Sequence, residues 1–152
     1  MKKLSALLIF ALTVISLCAW GSGDPIEQWT EFSRSKGKIL FMKWLRENAV
    51  SIQKKEKNYE PLPVGLPAVH GRSGLFITLM KKGKVRGCFG AFDHSETDIE
   101  VMLRDYLKGA LSYDPRYKPL EKHELEETEI IVTVASFPEH VESLNKVDIS
   151  RS

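Results

Sequence analysis

The clearest pattern of apolar and polar residues lies between residues 97 and 113. Thr97-Asp98-Ile99-Glu100 has the form of a capping box, which satisfies the first free amides of a helix. Behind it, apolar residues recur every three or four positions, as on one face of a helix: Ile99, Met102, Leu103, Tyr106, Leu107, Ala110 and Leu111. The pattern predicts a helix that packs this stripe into the core and ends before Asp114-Pro115.

Two more helices are predicted near the start of the chain. Asp24-Pro25-Ile26-Glu27 combines a capping residue, a proline at the first helical position and an acidic first turn. Gly37 interrupts the pattern, and a longer helix is predicted from near Lys38 to near Lys54. We expect its core face to consist of Leu40, Trp44, Leu45, Ala49 and Ile52.

Three short runs have the composition of β-strands. Residues 75–79 and 85–89 are separated by a lysine- and glycine-rich turn, which predicts a hairpin whose tip is a solvated basic surface. Residues 129–137 alternate in a way that predicts a third strand. The segment from Lys54 to Gly74 is charged and then rich in Pro and Gly, and it is interpreted as a loop.

The first 21 residues have the organisation of an export signal. Lys2 and Lys3 precede an apolar segment from Leu4 to Leu17, and Ala19-Trp20-Gly21 offers a cleavage site. A lipoprotein signal that ends before Cys18 is one alternative, and an uncleaved anchor is another. All three place the protein outside the cytoplasm, and we expect membrane contact only through the leader or a lipid on Cys18.

The charge balance changes once the leader is set aside. The whole chain has 22 basic and 20 acidic residues, and two of the lysines lie in the leader, so residues 22–152 carry 20 of each. A neutral domain lacks the basic surplus that nucleic-acid binding favours, and no nucleic-acid partner is expected. The remaining length suits one domain, residues 22–152.

Candidate chemistry centres on Arg86-Gly87-Cys88-Phe89-Gly90. Without the leader Cys88 is the only cysteine, and the adjacent glycines allow backbone or ligand to approach. Cys88 is a candidate nucleophile, with Arg86 nearby and His70 or His94 as base. The alternative is a structural or ligand-lining thiol. Period-two alternation places Arg86 on the face of Cys88, as an anion ligand or a partner for a carboxylate.

Asp114-Pro115-Arg116 is open to two similar interpretations. Arg116 either pairs with Asp114 or Glu124, or joins Arg86 in binding an anionic ligand, because a guanidinium matches carboxylate and phosphate. The four histidines and the one remaining cysteine show no metal-ligand spacing, so no metal site is predicted.

The hairpin residues resemble a known family. Gly74 to Leu79, followed by Val85-Arg86-Gly87-Cys88-Phe89-Gly90 and by Asp114-Pro115-Arg116-Tyr117 with Pro119-Leu120, is similar to the signature of AMMECR-type domains. The resemblance spans roughly residues 36–148. It implies an α+β fold, with an antiparallel β-sheet flanked by helices. It leaves the cofactor unknown, and the molecular activity of such domains is not firmly established. The family domain continues beyond the position of Ile149, so we expect its C-terminal part to be missing here.

Two functions follow from these observations. The first is a binding module that takes a small anionic ligand or a protein partner through the Arg86–Gly90 region, with Arg86, Gly87, Gly90, Asp114 and Arg116 as the binding residues. The alternative is an enzyme component of a modification pathway, in which Cys88 is the reactive thiol.

Overall fold

The computed structural model describes residues 25–56, 58–69 and 73–136. The predicted leader with its alternative lipid site Cys18, the capping Asp24, the candidate base His70 and the strand end at Phe137 all lie outside the described residues.

Three α-helices form where the apolar spacing predicts them. They are α1 (Pro25–Arg34), α2 (Gly37–Lys54) and α3 (Ile99–Ser112). The capping residue of α3 is Asp98, whose side chain accepts from the amides of Glu100 and Val101, so the prediction that placed the cap at Thr97 is one residue too early. A cap of this kind contributes about 1 kcal/mol.

The strands form one antiparallel sheet. They are β1 (Gly74–Lys81), β2 (Lys84–Ala91) and β3 (Thr128–Ala135), with β1 in the centre of the order β2-β1-β3. Lys82 and Gly83 both have positive φ, as the two central residues of a primed hairpin turn require. A short 3-10 helix, Lys122–Glu127, leads into β3, where the sequence predicted only a polar connection. The predicted α+β class is confirmed.

The helices pack against one face of the sheet. On β1, Leu75, Ile77 and Leu79 are fully buried, while the alternate residues Phe76 and Thr78 are only partly buried. The core joins the first set to the helices, and it consists of Trp29, Phe32, Phe41, Trp44, Leu45, Ala49, Val69, Leu75, Ile77, Leu79, Met102, Leu103, Leu107, Ala110, Leu111, Leu120, Leu125 and Ile130.

The core face of α2 differs from the prediction at its first turn. Leu40 is 50% exposed, whereas its neighbour Phe41 is 3% exposed. Phe41 packs edge-on against Phe32 of α1, with ring centroids 5.7 Å apart, and it also stacks on Trp44. The placement of Leu40 in the core is therefore wrong, because the aromatic residues of α1 set which side of α2 is covered.

Among the described residues, none of the helices combines the length and the apolar character that crossing a membrane requires.

Candidate functional site

The segment Arg86-Gly87-Cys88-Phe89-Gly90 lies in β2, beside an irregularity in the hairpin. Leu79 pairs with Gly87 and Met80 pairs with Val85, so Arg86 is the extra residue of a β-bulge. A bulge bends the strand and redirects a side chain. The bulge interrupts the alternation of side chains between the two faces of the sheet at Arg86. The period-two rule therefore does not place Arg86 and Cys88 on the same face, and that expectation does not hold.

The Arg86 guanidinium is held by protein groups. Its Nη2 and Nε donate to the Glu124 carboxylate at 2.8 and 3.3 Å, and its Nη1 donates to the Lys118 carbonyl at 2.8 Å. Lys81 donates to the same carboxylate at 3.1 Å. Of the two roles predicted for Arg86, the geometry shows a carboxylate partnership, and anion binding stays a prediction.

These donors change the acidity of Glu124. The hydrogen bonds from Arg86, from the Glu121 amide and from Lys81 outweigh the effect of burial, and they lower its pKa from 4.5 to about 2. Glu124 is therefore an anion at neutral pH. It joins the hairpin, through Lys81 and Arg86, to the 3-10 helix on which it lies.

Asp114 is a buried carboxylate beside Cys88. Its side chain is 3% exposed, and it accepts from the Cys88 amide at 2.8 Å and from the Arg116 amide at 3.0 Å. The Arg116 guanidinium donates to both carboxylate oxygens, at 2.9 and 2.8 Å. These bonds, first among them the one from the Arg116 side chain, hold the pKa of Asp114 well below its usual range.

Arg116 itself remains open to solvent. Its side chain is 61% exposed and lies over the Tyr117 ring, with 5.5 Å between the guanidinium carbon and the ring centroid. Of the two carboxylates weighed as its structural partner, the structure shows Asp114 rather than Glu124. Asp114 thus fixes a positively charged group next to the backbone of Cys88.

The glycines of the segment allow elements to approach closely. A Cβ on Gly87 would lie 2.2 Å from the Ala110 carbonyl of α3, and one on Gly90 would lie 2.1 Å from the Leu75 carbonyl of β1. Either contact is shorter than real Cβ atoms show. Both glycines therefore face protein backbone, and the ligand-approach role predicted for them stays a prediction.

Cys88 lies on the sheet face opposite Gly87. It is partly exposed, and the Thr78 hydroxyl of the adjacent strand donates to its Sγ at 3.3 Å. The candidate base His94 is occupied elsewhere: its Nε2 lies 2.7 Å from the Ser73 carbonyl and its Nδ1 lies 2.7 Å from the Tyr106 hydroxyl. In the neutral ring the hydrogen is on Nε2, because the carbonyl can only accept.

The sequence reasoning missed the roles of two residues at the site, Thr78 and Lys81. Thr78 contacts Cys88, and its place opposite Cys88 depends on the register of the hairpin. Lys81 was assigned to a solvated tip, but it is 22% exposed and pairs with Glu124 and Glu127. Among the described residues, no group of three His, Cys, Asp or Glu side chains is placed to hold a metal ion.

The hairpin with its Arg-Gly-Cys segment and the Asp114 loop both lie within the part of the chain that matches a known family. The AMMECR1 family model matches residues 42–152. This chain belongs to the AMMECR1 family. The resemblance noted from the hairpin residues is thereby confirmed.

Curated relatives of this AMMECR1 chain occur in bacteria and archaea. A protein of Thermotoga maritima is 31% identical over 116 residues, which cover 74% of this chain and 66% of that protein. A protein of Methanothermobacter thermautotrophicus is 32% identical over 122 residues, which cover 80% of this chain and 62% of that protein. The chain thus spans about two thirds or less of the length of these relatives.

A solved structure agrees with the fold. The crystal structure of the uncharacterized protein PH0010 from Pyrococcus horikoshii is similar with a TM-score of 0.55 and 24% identity, over 70% of this chain and 54% of that one. At this level of identity the likeness shows the fold alone.

Proposed function

We propose that this protein is a binding module that takes up an acidic segment of a partner protein on one face of its sheet. The Cys88 face is the surface formed by Phe76, Thr78, Met80, Cys88 and Ile131, which alternate with the core residues of the strands. The observation that carries the proposal is that the helices described by the structure all pack against the opposite face.

The Cys88 face has the composition of a binding surface. Ile131 is 41% exposed and Phe92, the residue after β2, is 45% exposed, while Phe76 and Met80 are only partly buried. Exposed apolar groups that lie together on one side of a small domain mark interaction sites more often than isolated ones do. Apolar contact with these side chains would provide affinity for a segment of a partner.

The charge at the edge of this face favours an acidic segment. Arg116, Lys118 and Lys84 are exposed on β2 and the loop beside it. Arg116 is held in position by the buried Asp114, so little side-chain freedom is lost when it meets a second carboxylate. Complementary charge of this kind steers association and selects the partner.

A partner segment is favoured over a small anion bound by Arg86. The Arg86 side chain is 20% exposed and already bonds Glu124 together with the carbonyls of Lys118 and Pro119. A small anion would have to displace the partly buried Glu124 carboxylate from this site. Arg116 offers its charge without such a displacement.

The reactive-thiol alternative rests on the partial exposure of Cys88. A nucleophilic cysteine needs a nearby base, but both ring nitrogens of His94 are bonded elsewhere, and Asp114 is too weak a base because its pKa is depressed. The alternative predicts that Cys88→Ser abolishes function, whereas a binding surface tolerates so small a change.

Site-specific photo-cross-linking tests the binding module. A photoreactive residue at Ile131, on the Cys88 face, is expected to give one discrete adduct in the source cells, and Arg116→Gln should reduce its yield. The matched control places the same residue at Ile39, which is 68% exposed on α2 and lies away from this face. Equal adducts at both positions, or none at Ile131, would rule out the Cys88 face as the binding surface.

We also propose that the protein works outside the cytoplasm. The support is the order of charged, apolar and small residues in positions 1–21. Mass spectrometry of the protein from its source cells is expected to show a chain that starts at Ser22. A lipid on Cys18 would support the lipoprotein alternative, and an intact Met1 in the soluble fraction would contradict export.

A further inference from the structure

The two outer strands of the sheet differ at their free edges. At β2, the Cys88 amide donates to Asp114, and a bulge bends the strand. At β3, residues 129–135 bond through their backbone only to β1, as far as the described residues are concerned. One edge of the sheet is therefore partly blocked by protein groups, and the other is open over most of its length.

This open stretch of β3, residues 129–135, lacks the features that protect exposed sheet edges. It contains no proline, its only charged residue is Glu129, and it pairs with β1 without a bulge. It is also as long as an average strand, so it can pair with a further strand along its whole length. An apolar edge of this kind is a template for pairing with another chain.

An apolar groove adjoins the open edge on the helix side of the sheet. It has a volume of about 250 Å³, and its walls include Trp29 of α1, Met42 of α2, and Val132 and Val134 of β3. The two valines are only partly buried, although they lie on the core face of the strand. The apolar layer of the core thus extends to the edge of the sheet, where a further strand would cover it.

The direction of α2 determines which of its residues lie at each end of the open edge. Arg46 donates to the Thr128 carbonyl at the start of β3. Lys38, which comes earlier in the helix, borders the groove together with Val134, near the end of the strand. α2 therefore runs antiparallel to β3, and its first turn lies near the C-terminal end of that strand.

The two ends of the open edge carry opposite charge. Lys36 and Lys38 are exposed near the end of β3, and Glu126 and Glu129 are exposed at its start. When two copies of such an edge lie antiparallel, the basic end of each copy meets the acidic end of the other. The edge is therefore complementary to itself, and complementary charge favours the matching partner.

We propose that this edge binds the β3 strand of a second copy of the chain, in antiparallel orientation about a two-fold axis at Val132. Val132 is the middle residue of the open stretch, so the axis gives every residue of that stretch a partner. Ile130 lies opposite Val134 of the second copy, and core-face residues therefore meet each other. On the other face, Ile131 lies opposite Thr133. The two apolar grooves come to lie side by side on the helix side of one continuous sheet.

Cross-linking of single cysteines tests the pairing and its register, in a full-length chain that carries Cys18→Ser and Cys88→Ser. Thr133→Cys is expected to give a covalent dimer with a bismaleimide that spans about 8 Å, because the two copies of residue 133 lie diagonally across the axis. Glu129→Cys, exposed on the same face of β3, is the matched control. Its two copies lie roughly 20 Å apart in the proposed dimer and should not be linked. Absence of a dimer from Thr133→Cys, or equal linkage at both positions, would overturn the proposal.

Sedimentation equilibrium measures the Kd of the dimer. Lys36→Glu with Lys38→Glu is expected to raise this Kd by about tenfold or more, because acidic groups would then meet acidic groups at both ends of the paired edge. The fold should tolerate the change, since acidic residues suit the start of a helix. Lys84→Glu with Lys118→Glu, the same charge change at exposed positions on and beside β2, should leave the Kd unaltered.

A charge swap completes the test. Glu126→Lys and Glu129→Lys, added to the variant with Lys36→Glu and Lys38→Glu, should bring the Kd back towards the native value, because opposite charges meet again. A native chain that stays monomeric at every concentration would overturn the proposal, as would a Kd that the first two substitutions leave unchanged. A monomer whose β3 amides resist hydrogen exchange would also overturn it, because another part of the chain would then cover the edge. The pairing leaves the Cys88 faces of both copies exposed, so none of these results depends on the partner proposed for that face.

Discussion

At the scale of single residues, the site depends on the Asp114 carboxylate, which accepts four hydrogen bonds from Cys88 and Arg116. Asp114 is 3% exposed and receives hydrogen bonds from the Cys88 amide and from the amide and guanidinium of Arg116. A buried charge is stable only when its hydrogen bonds are all made. Asp114 thereby accepts from the outward-pointing Cys88 amide of the edge strand β2. It also holds the Arg116 guanidinium beside that strand.

Asp114→Asn tests this role. The substitution removes the charge and leaves an amide group where the carboxylate accepted, so the free energy of unfolding is expected to fall by about 2 kcal/mol. Urea unfolding at neutral pH measures it. Asp93→Asn, at an exposed position, is the matched control and should be near neutral. Equal stability of the two variants would show that the Asp114 bonds contribute nothing.

The sequence indicated most of the residues at this site but not their partners. Arg86, Cys88, Asp114 and Arg116 are found from motif and residue type alone. The partnership of Arg86 with Glu124 spans 38 positions and depends on how the 3-10 helix lies against the hairpin. No local sequence pattern predicts a contact between residues that are so far apart in the chain.

At the scale of elements, α3 and β2 approach each other through glycines. Gly87 of β2 lies against the backbone of α3 at Ala110, and Gly109 of α3 lies under the Phe89 ring of β2. The two contacts bring the helix close to the strand that carries Cys88. Side chains at either position would push the helix away.

Gly87→Ala is therefore expected to destabilise the fold by about 3 kcal/mol or more, because its Cβ would lie 2.2 Å from the Ala110 carbonyl. Thermal unfolding measures the loss. Gly83→Asn is a suitable comparison: Gly83 has a φ of +74°, which Asn tolerates, and a Cβ there meets nothing within 4 Å. If Gly87→Ala unfolds no earlier than Gly83→Asn, close packing of α3 on β2 is not required.

The pattern of apolar residues predicted α3 better than α2. In α3 the apolar positions form a single stripe, and the structure buries or partly buries all of it. In α2, Ile39, Leu40, Phe41 and Met42 are consecutive apolar residues, so two overlapping faces fit the helical period equally well. The contact of Phe41 with Phe32 in α1 decides between them, and that contact exists only in the folded chain.

At the scale of the whole molecule, one ion-pair network ties the hairpin to the region that precedes β3. Glu124 binds Lys81 and Arg86, which lie at opposite sides of the hairpin turn. Its carboxylate is 14% exposed and its pKa is lowered from 4.5 to about 2. Because the native state favours the ionised form, Glu124 stabilises the fold above pH 4.5, and this contribution is lost as pH falls towards 2.

Glu124→Gln should therefore be less stable than the native chain at pH 7, by on the order of 2 kcal/mol, and the difference should shrink as pH falls from 4.5 towards 2. Urea unfolding over this pH range measures the two profiles. Glu126→Gln, exposed on the same 3-10 helix, is the control and should follow the native profile at neutral pH. A pH-independent difference would contradict the ionised role of Glu124.

Among residues 25–136, so far as the structure describes them, the helices pack on one side of the sheet, and the proposed function depends on this arrangement. Alternation in β3 did not reveal it, because both faces of that strand carry apolar residues: Ile130 is 8% exposed and Ile131 is 41% exposed. Only the placement of all the described helices on one side distinguishes the core face from the Cys88 face.

Alkylation of Cys88 in intact source cells, quantified by mass spectrometry of its peptide, tests most directly whether a partner covers this face. We expect Cys88 of the native chain to react several-fold more slowly in cells than in the purified chain, and we expect this protection to be much smaller in Arg116→Gln. Each variant is compared with its own purified chain, because the Arg116 charge interacts with Cys88 and its loss changes the intrinsic rate. Equal protection of the two variants would contradict the proposal, because a covered thiol must be protected and the loss of Arg116 must release it.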